Sequence, residues 1–287
     1  SFRHFDSYKV KFNQCWGDNV SEQLVVFLAF TCGLIGMGFG WKWGLSQVAG
    51  FFDSSSAVKY LMFGFLLGTI YAMLSDELML RDYLGFIQGK QELAIMNYLA
   101  SILISTSVSL FVMLLLTRKS IIATKSGPTS GWTLGLGIGA MFSSRYSYLS
   151  LEYSGINFET IIQMLLFVIL LPLFEGAICC YQGFMSTSGR RFRSTLMASM
   201  ARLFFLMVLP PIFILLIWWV ILLPIVMILF RKSVSEWIPE SLTHEAKRRY
   251  RRIMADNARR SKISNVDKGD VTSNSLTLND YIIGSEE

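Results

Sequence analysis

Between Arg202 and Arg231 the chain runs for 28 residues, Leu203–Phe230, without a charged side chain. A helix needs about 20 apolar residues to cross roughly 30 Å of hydrocarbon at 1.5 Å per residue. A run this long and apolar does not belong in an ordinary soluble core, so the solvent it implies is a lipid bilayer. The rest of the chain agrees: 53% of its residues are hydrophobic and 16% charged, against about 25% charged in a soluble domain. The apolar runs are continuous rather than alternating, which excludes a membrane β-barrel. The expected fold class is therefore all-α, a polytopic helical membrane protein of about six transmembrane helices with a short basic C-terminal helix and a disordered tail.

Six apolar segments carry that expectation: Leu24–Trp41, Tyr60–Leu74, Leu93–Thr117, Trp132–Leu149, Ile161–Tyr181 and Leu203–Phe230. The fourth is the weakest, because SSRYSYLS ends it. The organisation that follows is a polar N-terminal segment over 1–23, a transmembrane helical domain over 24–232 and a basic, partly disordered tail over 233–287. Residues 1–23 hold no apolar h-region, so the first span is expected to serve as the insertion signal.

Lysine and arginine in short loops set orientation. Six plain spans with both ends cytoplasmic place sixteen basic residues inside and nine outside. An outside N-terminus places twenty inside and five outside, but needs an odd number of crossings. The final run supplies one only if it turns back at Pro210–Pro211 or Pro224. Six plain spans are the expectation, with the returning hairpin as its rival. Either way the tail is expected to be cytoplasmic; the organelle is not legible.

Two charges fall inside apolar segments, where each costs about 2.5–3.5 kcal/mol at mid-membrane on insertion scales. Glu175 lies in LLPLFEGAICCY, three residues after Pro172, where a proline-kinked helix could line an ion path; the plainer reading is an interfacial or neutral acid. Arg145, in MFSSRYSYLSLEY, is the second. Glu152, seven residues on, is its nearer partner along one helix face, and an Arg145–Glu175 pair would need tilt. Asn97, Ser101 and Ser105 recur every four residues on segment three, with Ser109 next in line; they serve helix packing or line a polar pore. Gly36–Gly40 and Gly135–Gly139 have the GxxxG spacing that lets helix backbones approach.

Of the four cysteines, Cys179 and Cys180 are adjacent and form no CxxC. They read as packing residues, or as S-palmitoylation sites at a membrane boundary. Lys247, Arg248, Arg249, Arg251 and Arg252 form a dense basic cluster suited to anionic lipid headgroups. With only His4 and His244, neither in a span, histidine-held metal centres are excluded on ligand count, and no cofactor is expected. No HExxH or GxSxG motif points to an enzyme. The expected function is a channel- or transporter-like conduit for ions or lipids; the alternative is a non-catalytic accessory subunit of a larger membrane complex. Its expected partners are membrane lipids and other membrane subunits or copies of itself, and not nucleic acid.

Overall fold

The computed structural model describes residues 22–48, 50, 52–80, 82–83, 95–212, 219–242, 246–253, 255–256 and 259. Among them the regular structure is helical throughout. The compact unit that ends at Leu242 contains α1 (Glu22–Leu45), α2 (Ser54–Ser75, continued by a wider turn over Asp76–Leu80) and α3 (Ile95–Leu116). A short α4 (Lys119–Thr124) leads into α5 (Gly127–Ser154). Then come α6 (Phe158–Thr187), α7 (Arg191–Ile212) and α8 (Trp219–Lys232). Five of these, α1, α2, α3, α6 and α7, are long and apolar enough to cross a membrane. They also leave large side chains such as Phe27, Leu66, Leu114 and Leu165 exposed, which is the surface a helix shows to lipid.

The run that promised a sixth plain span is not one helix. Leu203–Ile212 completes α7, which starts at Arg191, and α8 begins at Trp219; residues 213–218 lie outside the described residues. Arg202 is therefore no flanking charge but a residue in the middle of α7. The two helices run oppositely. Phe205 of α7 stacks on Phe174 of α6, at 3.9 Å between ring centroids, and Arg202, three residues earlier, reaches Cys179 and Gln182 further along α6, so α7 is antiparallel to α6. Trp219 meets Phe167 at 5.3 Å and Trp237, beyond α8, meets Tyr181 at 5.1 Å, so α8 runs with α6. Among the described residues the seven longer helices, α1–α3 and α5–α8, alternate in direction.

Helix α5 is the axis. It packs against α6, α2 and α1, and every residue from Gly127 to Ala140 is buried. The weakest hydropathy segment is thus the most enclosed helix, because a helix that meets protein on all sides need not be apolar enough for lipid. Glycine makes the enclosure possible. A Cβ at Gly127, Gly131, Gly135 or Gly139 would run into Gly183, Cys179, Glu175 or Pro172 of α6, most often into a backbone carbonyl. The partners fall in steps of about four as the glycines rise by four, which sets α5 and α6 antiparallel. Gly64 and Gly68 of α2 meet Leu134 and Ile138 in parallel, and Gly33 and Gly40 of α1 meet Ala140 and Leu136 in antiparallel register. The GxxxG spacings thus serve packing within the chain.

The local signals fit. Asp53 caps α2, accepting from the Ser55 and Ser56 amides at 3.0 and 3.3 Å and from the Ser56 hydroxyl at 2.6 Å. Pro172 sits inside α6 without ending it. It cannot bond the Val168 carbonyl, and Gly36 lets α1 close over that carbonyl.

One end of this bundle carries a surplus of basic residues, ten against the exposed acids Asp53, Glu236 and Glu240. Lys42, Lys59, Arg118, Lys119, Lys125, Arg190, Arg191, Arg193, Arg231 and Lys232 all lie exposed at the end where α1, α3, α6 and α8 finish. Glu77, Glu152 and Glu159 are exposed at the other end. The second unit, from Thr243, holds a helix over residues 246–253.

Candidate functional site

One buried network joins three helices at mid-bundle. Glu175 and Arg202 are 3% and 0% exposed. After Trp132, Arg202 is the largest fully buried side chain among the described residues. Its Nε donates to Glu175 Oε2 at 3.0 Å and Nη2 donates to the same oxygen at 2.9 Å, a forked contact with the carboxylate. Nη2 also donates to Cys179 Sγ at 3.0 Å. Nη1 donates to Ser109 Oγ at 2.7 Å and to Gln182 Oε1 at 3.3 Å. A guanidinium has five N–H groups, and this set occupies all of them. The second tier is closed as well: Gln182 Nε2 donates to the Ser109 carbonyl at 3.0 Å, and Ser109 Oγ donates to the Ser105 carbonyl at 2.8 Å. Such completeness is what a charge away from water requires.

Helix geometry explains the convergence. Glu175, Cys179 and Gln182 stand four and three residues apart on α6, on one face. On α7, Ser194, Ala198, Arg202, Phe205, Leu206 and Leu209 form the buried stripe, and Arg202 occupies its centre.

A second pair lies toward the acidic end. Arg145 Nε donates to Asp76 Oδ2 at 2.9 Å and Nη2 reaches the same oxygen. Here the Arg145 side chain is one-third exposed and that of Asp76 nearly buried. Arg145 also stands 5.4 Å from the Tyr148 ring centroid. Between the pairs run polar side chains. Tyr71, Ser75 and Tyr146 are each buried there, and the Ser75 hydroxyl donates to the Tyr71 carbonyl at 2.9 Å. Tyr71 and Tyr146 sandwich Phe142, with centroids 4.6 and 5.0 Å away.

Several expectations change. Arg145 and Glu175 do not pair: in the α5–α6 register Glu175 stands beside Gly135, ten residues and about 15 Å of helix rise from Arg145. Nor does Glu152, which is exposed, partner Arg145. Ser101 and Ser105 are buried at 1% each on the α3 face that carries Ser109. The Asn97 side chain lies outside the described residues. Cys179 and Cys180 are both fully buried. They sit level with the network, not at a boundary, so an acyl chain could reach them only by opening the bundle. Arg248, Arg249, Arg251 and Arg252 are exposed and Lys247 half-buried in the second unit. Among the described residues no group of three or more His, Cys, Asp or Glu side chains comes together to hold a metal.

Comparison with protein-family models, with curated proteins and with solved structures found no match.

Proposed function

We propose that this multi-pass helical protein is a conduit for ions across the bilayer, with the Glu175–Arg202 network as its intramembrane site. The observation that carries the reading is a fully buried pair of opposite charges at mid-bundle, approached from the acidic end by Asp76, Arg145, Ser75, Tyr146 and Tyr71. Ionisable residues inside spans are costly and mark ion or proton pathways. In this reading the arrangement is an occluded one, since every Arg202 donor is committed to protein and a permeant takes over donors or the carboxylate as α6 and α7 part. The surplus of basic residues at one end supports a cytoplasmic side for that end.

The test is flux through liposomes loaded with the purified full-length chain. Replacing both charges together, Glu175→Leu with Arg202→Met, keeps the volume of the site and removes its charge. Flux is expected to fall to that of empty liposomes while the variant stays folded; unchanged flux overturns the proposal.

A second reading, the accessory subunit, draws on a different observation. Helix α5 fills the bundle axis, with glycine faces pressed onto α6, α2 and α1. A protein inert in liposomes that copurifies with membrane partners would establish it.

A further inference from the structure

We infer that the α6–α7 corner is a binding surface for the phosphate-bearing headgroup of an anionic lipid, a proposal that rests on membrane residence but not on conduction. The corner is a rigid one. Gly189, at φ 76°, lets the chain reverse, with the Gly189 amide donating to the Ser186 carbonyl and the Arg190 amide to the Met185 carbonyl, both at 3.1 Å. Two such bonds fix a helix C-terminus in the manner of a Schellman turn. They also fix where the next residues go.

Those residues are Arg190, Arg191, Phe192 and Arg193. All three arginines are exposed, and among the described residues no carboxylate pairs with them. The first turn of α7 has no acidic residue either, so the positive end of the helix dipole adds to three cations instead of being offset. Phe192, between them, is 83% exposed, the most exposed of the large apolar side chains described. A solvated aromatic flanked by cations is unfavourable in water. It is favourable at the headgroup level of a bilayer, where the ring enters the acyl boundary and guanidinium forks take phosphate oxygens in bidentate fashion.

Sidedness agrees with this placement. The corner belongs to the bundle end that gathers the ten exposed basic residues, the end that faces the anionic leaflet if lysine and arginine set orientation. The corner consists of residues of the first unit alone, whereas the basic cluster around Arg249 belongs to the second.

The test is native mass spectrometry of the full chain in detergent, titrated with phosphatidylglycerol, phosphatidylcholine or inorganic phosphate. The expected result is retention of phosphatidylglycerol over phosphatidylcholine. At roughly five-fold per arginine, the triple variant Arg190→Gln, Arg191→Gln, Arg193→Gln is expected to weaken retention about a hundredfold. Phe192→Ser is expected to weaken the lipid but not phosphate. Gln substitution of the five tail cations, 247–249, 251 and 252, is expected to change retention by no more than a few-fold. Equal retention of the two lipids overturns the proposal. So does a triple variant that binds like the parent, or inorganic phosphate displacing the lipid at equal concentration. Extraction of the chain from membranes by alkaline carbonate without detergent would instead overturn membrane residence itself, which separates the two failures.

Discussion

Breaking the Glu175–Arg202 pair one residue at a time, and then both together, distinguishes a network that holds three helices from two charges that happen to be neighbours. Glu175→Leu removes the acceptor for Arg202 Nε and for one Nη2 hydrogen. Two charged donors are then left in a site with no exposure. Hydrogen bonds to charged groups contribute about 1.5–3 kcal/mol each, so the loss is about 3–6 kcal/mol, matching the roughly 3–5 kcal/mol seen when one partner of a buried pair is removed. Arg202→Met strands the carboxylate and also takes the donor from Gln182 Oε1 and Ser109 Oγ, for a similar cost. The double variant leaves no buried charge. Its residual cost is the unpaired Gln182 oxygen, about 1–3 kcal/mol, because Ser109 Oγ keeps its bond to the Ser105 carbonyl. The singles are thus each expected to cost several times what a lone intramembrane hydrogen bond contributes, about 0.6 kcal/mol on average, and the double much less than their sum. Reversible unfolding in mixed micelles with rising SDS reads all four proteins. Single costs below about 1 kcal/mol, or a double cost equal to the sum, would refute the reasoning.

Three further outcomes follow from the packing and the topology. Gly135→Val and Gly36→Val push a side chain into the backbone of α6 and should abolish the folded state in the same SDS titration, whereas Gly38→Val, with open space around it, should unfold like the parent; three equal curves would remove the close-packed axis. Cysteines placed at the exposed positions Ser188 and Ser235 should react with an impermeant maleimide from one side of the membrane, and one at Asn157 from the other; reaction of Ser188 and Ser235 from opposite sides would make Leu203–Phe230 a single crossing. At the cap of α2 the Ser56 hydroxyl and the Ser55 amide hold the Asp53 carboxyl below the usual carboxylate range. Its contribution is complete above the unfolded value of about 3.9 and is lost as pH falls through the folded one, so Asp53→Ala should lower stability at pH 7 and not below the folded pKa; an equal loss at both ends of the titration would show that the cap does not act through its charge.

The two intramembrane charges were visible in the sequence, but their partners were not, and the reason is physical. Hydropathy marks where charge stops, so Arg202 read as the border of an apolar run. The helix that contains it begins eleven residues earlier, at Arg191. A better signal was present in the spacing: Ser194, Ala198, Arg202 and Leu206, then Leu209, recur at three and four residues, which places Arg202 on the buried stripe of a helix and off its solvent face. Asp76 was equally hidden. It stood in what looked like a loop, whereas α2 continues past Ser75 by a wider turn that carries the carboxylate to Arg145.

Helix α5 shows the opposite failure, and it bears on how the bundle could work. A segment rich in glycine and serine scores poorly for membrane insertion, yet those residues are what let α1, α2 and α6 approach it backbone to backbone. The stripe continues in steps of four as Ser143 and Ser147, both fully buried, so α5 presents a small-residue face along most of its length. Packing of this kind resists bending of α5 itself, since any tilt drives backbone into backbone. The pair that α6 shares with α7 involves no such contact: it is side chain to side chain, and α7 meets α6 through Phe205, Phe174 and the network. Breaking the Arg202–Glu175 contact is therefore the step that would release α6 from α7, which packs more extensively on α3.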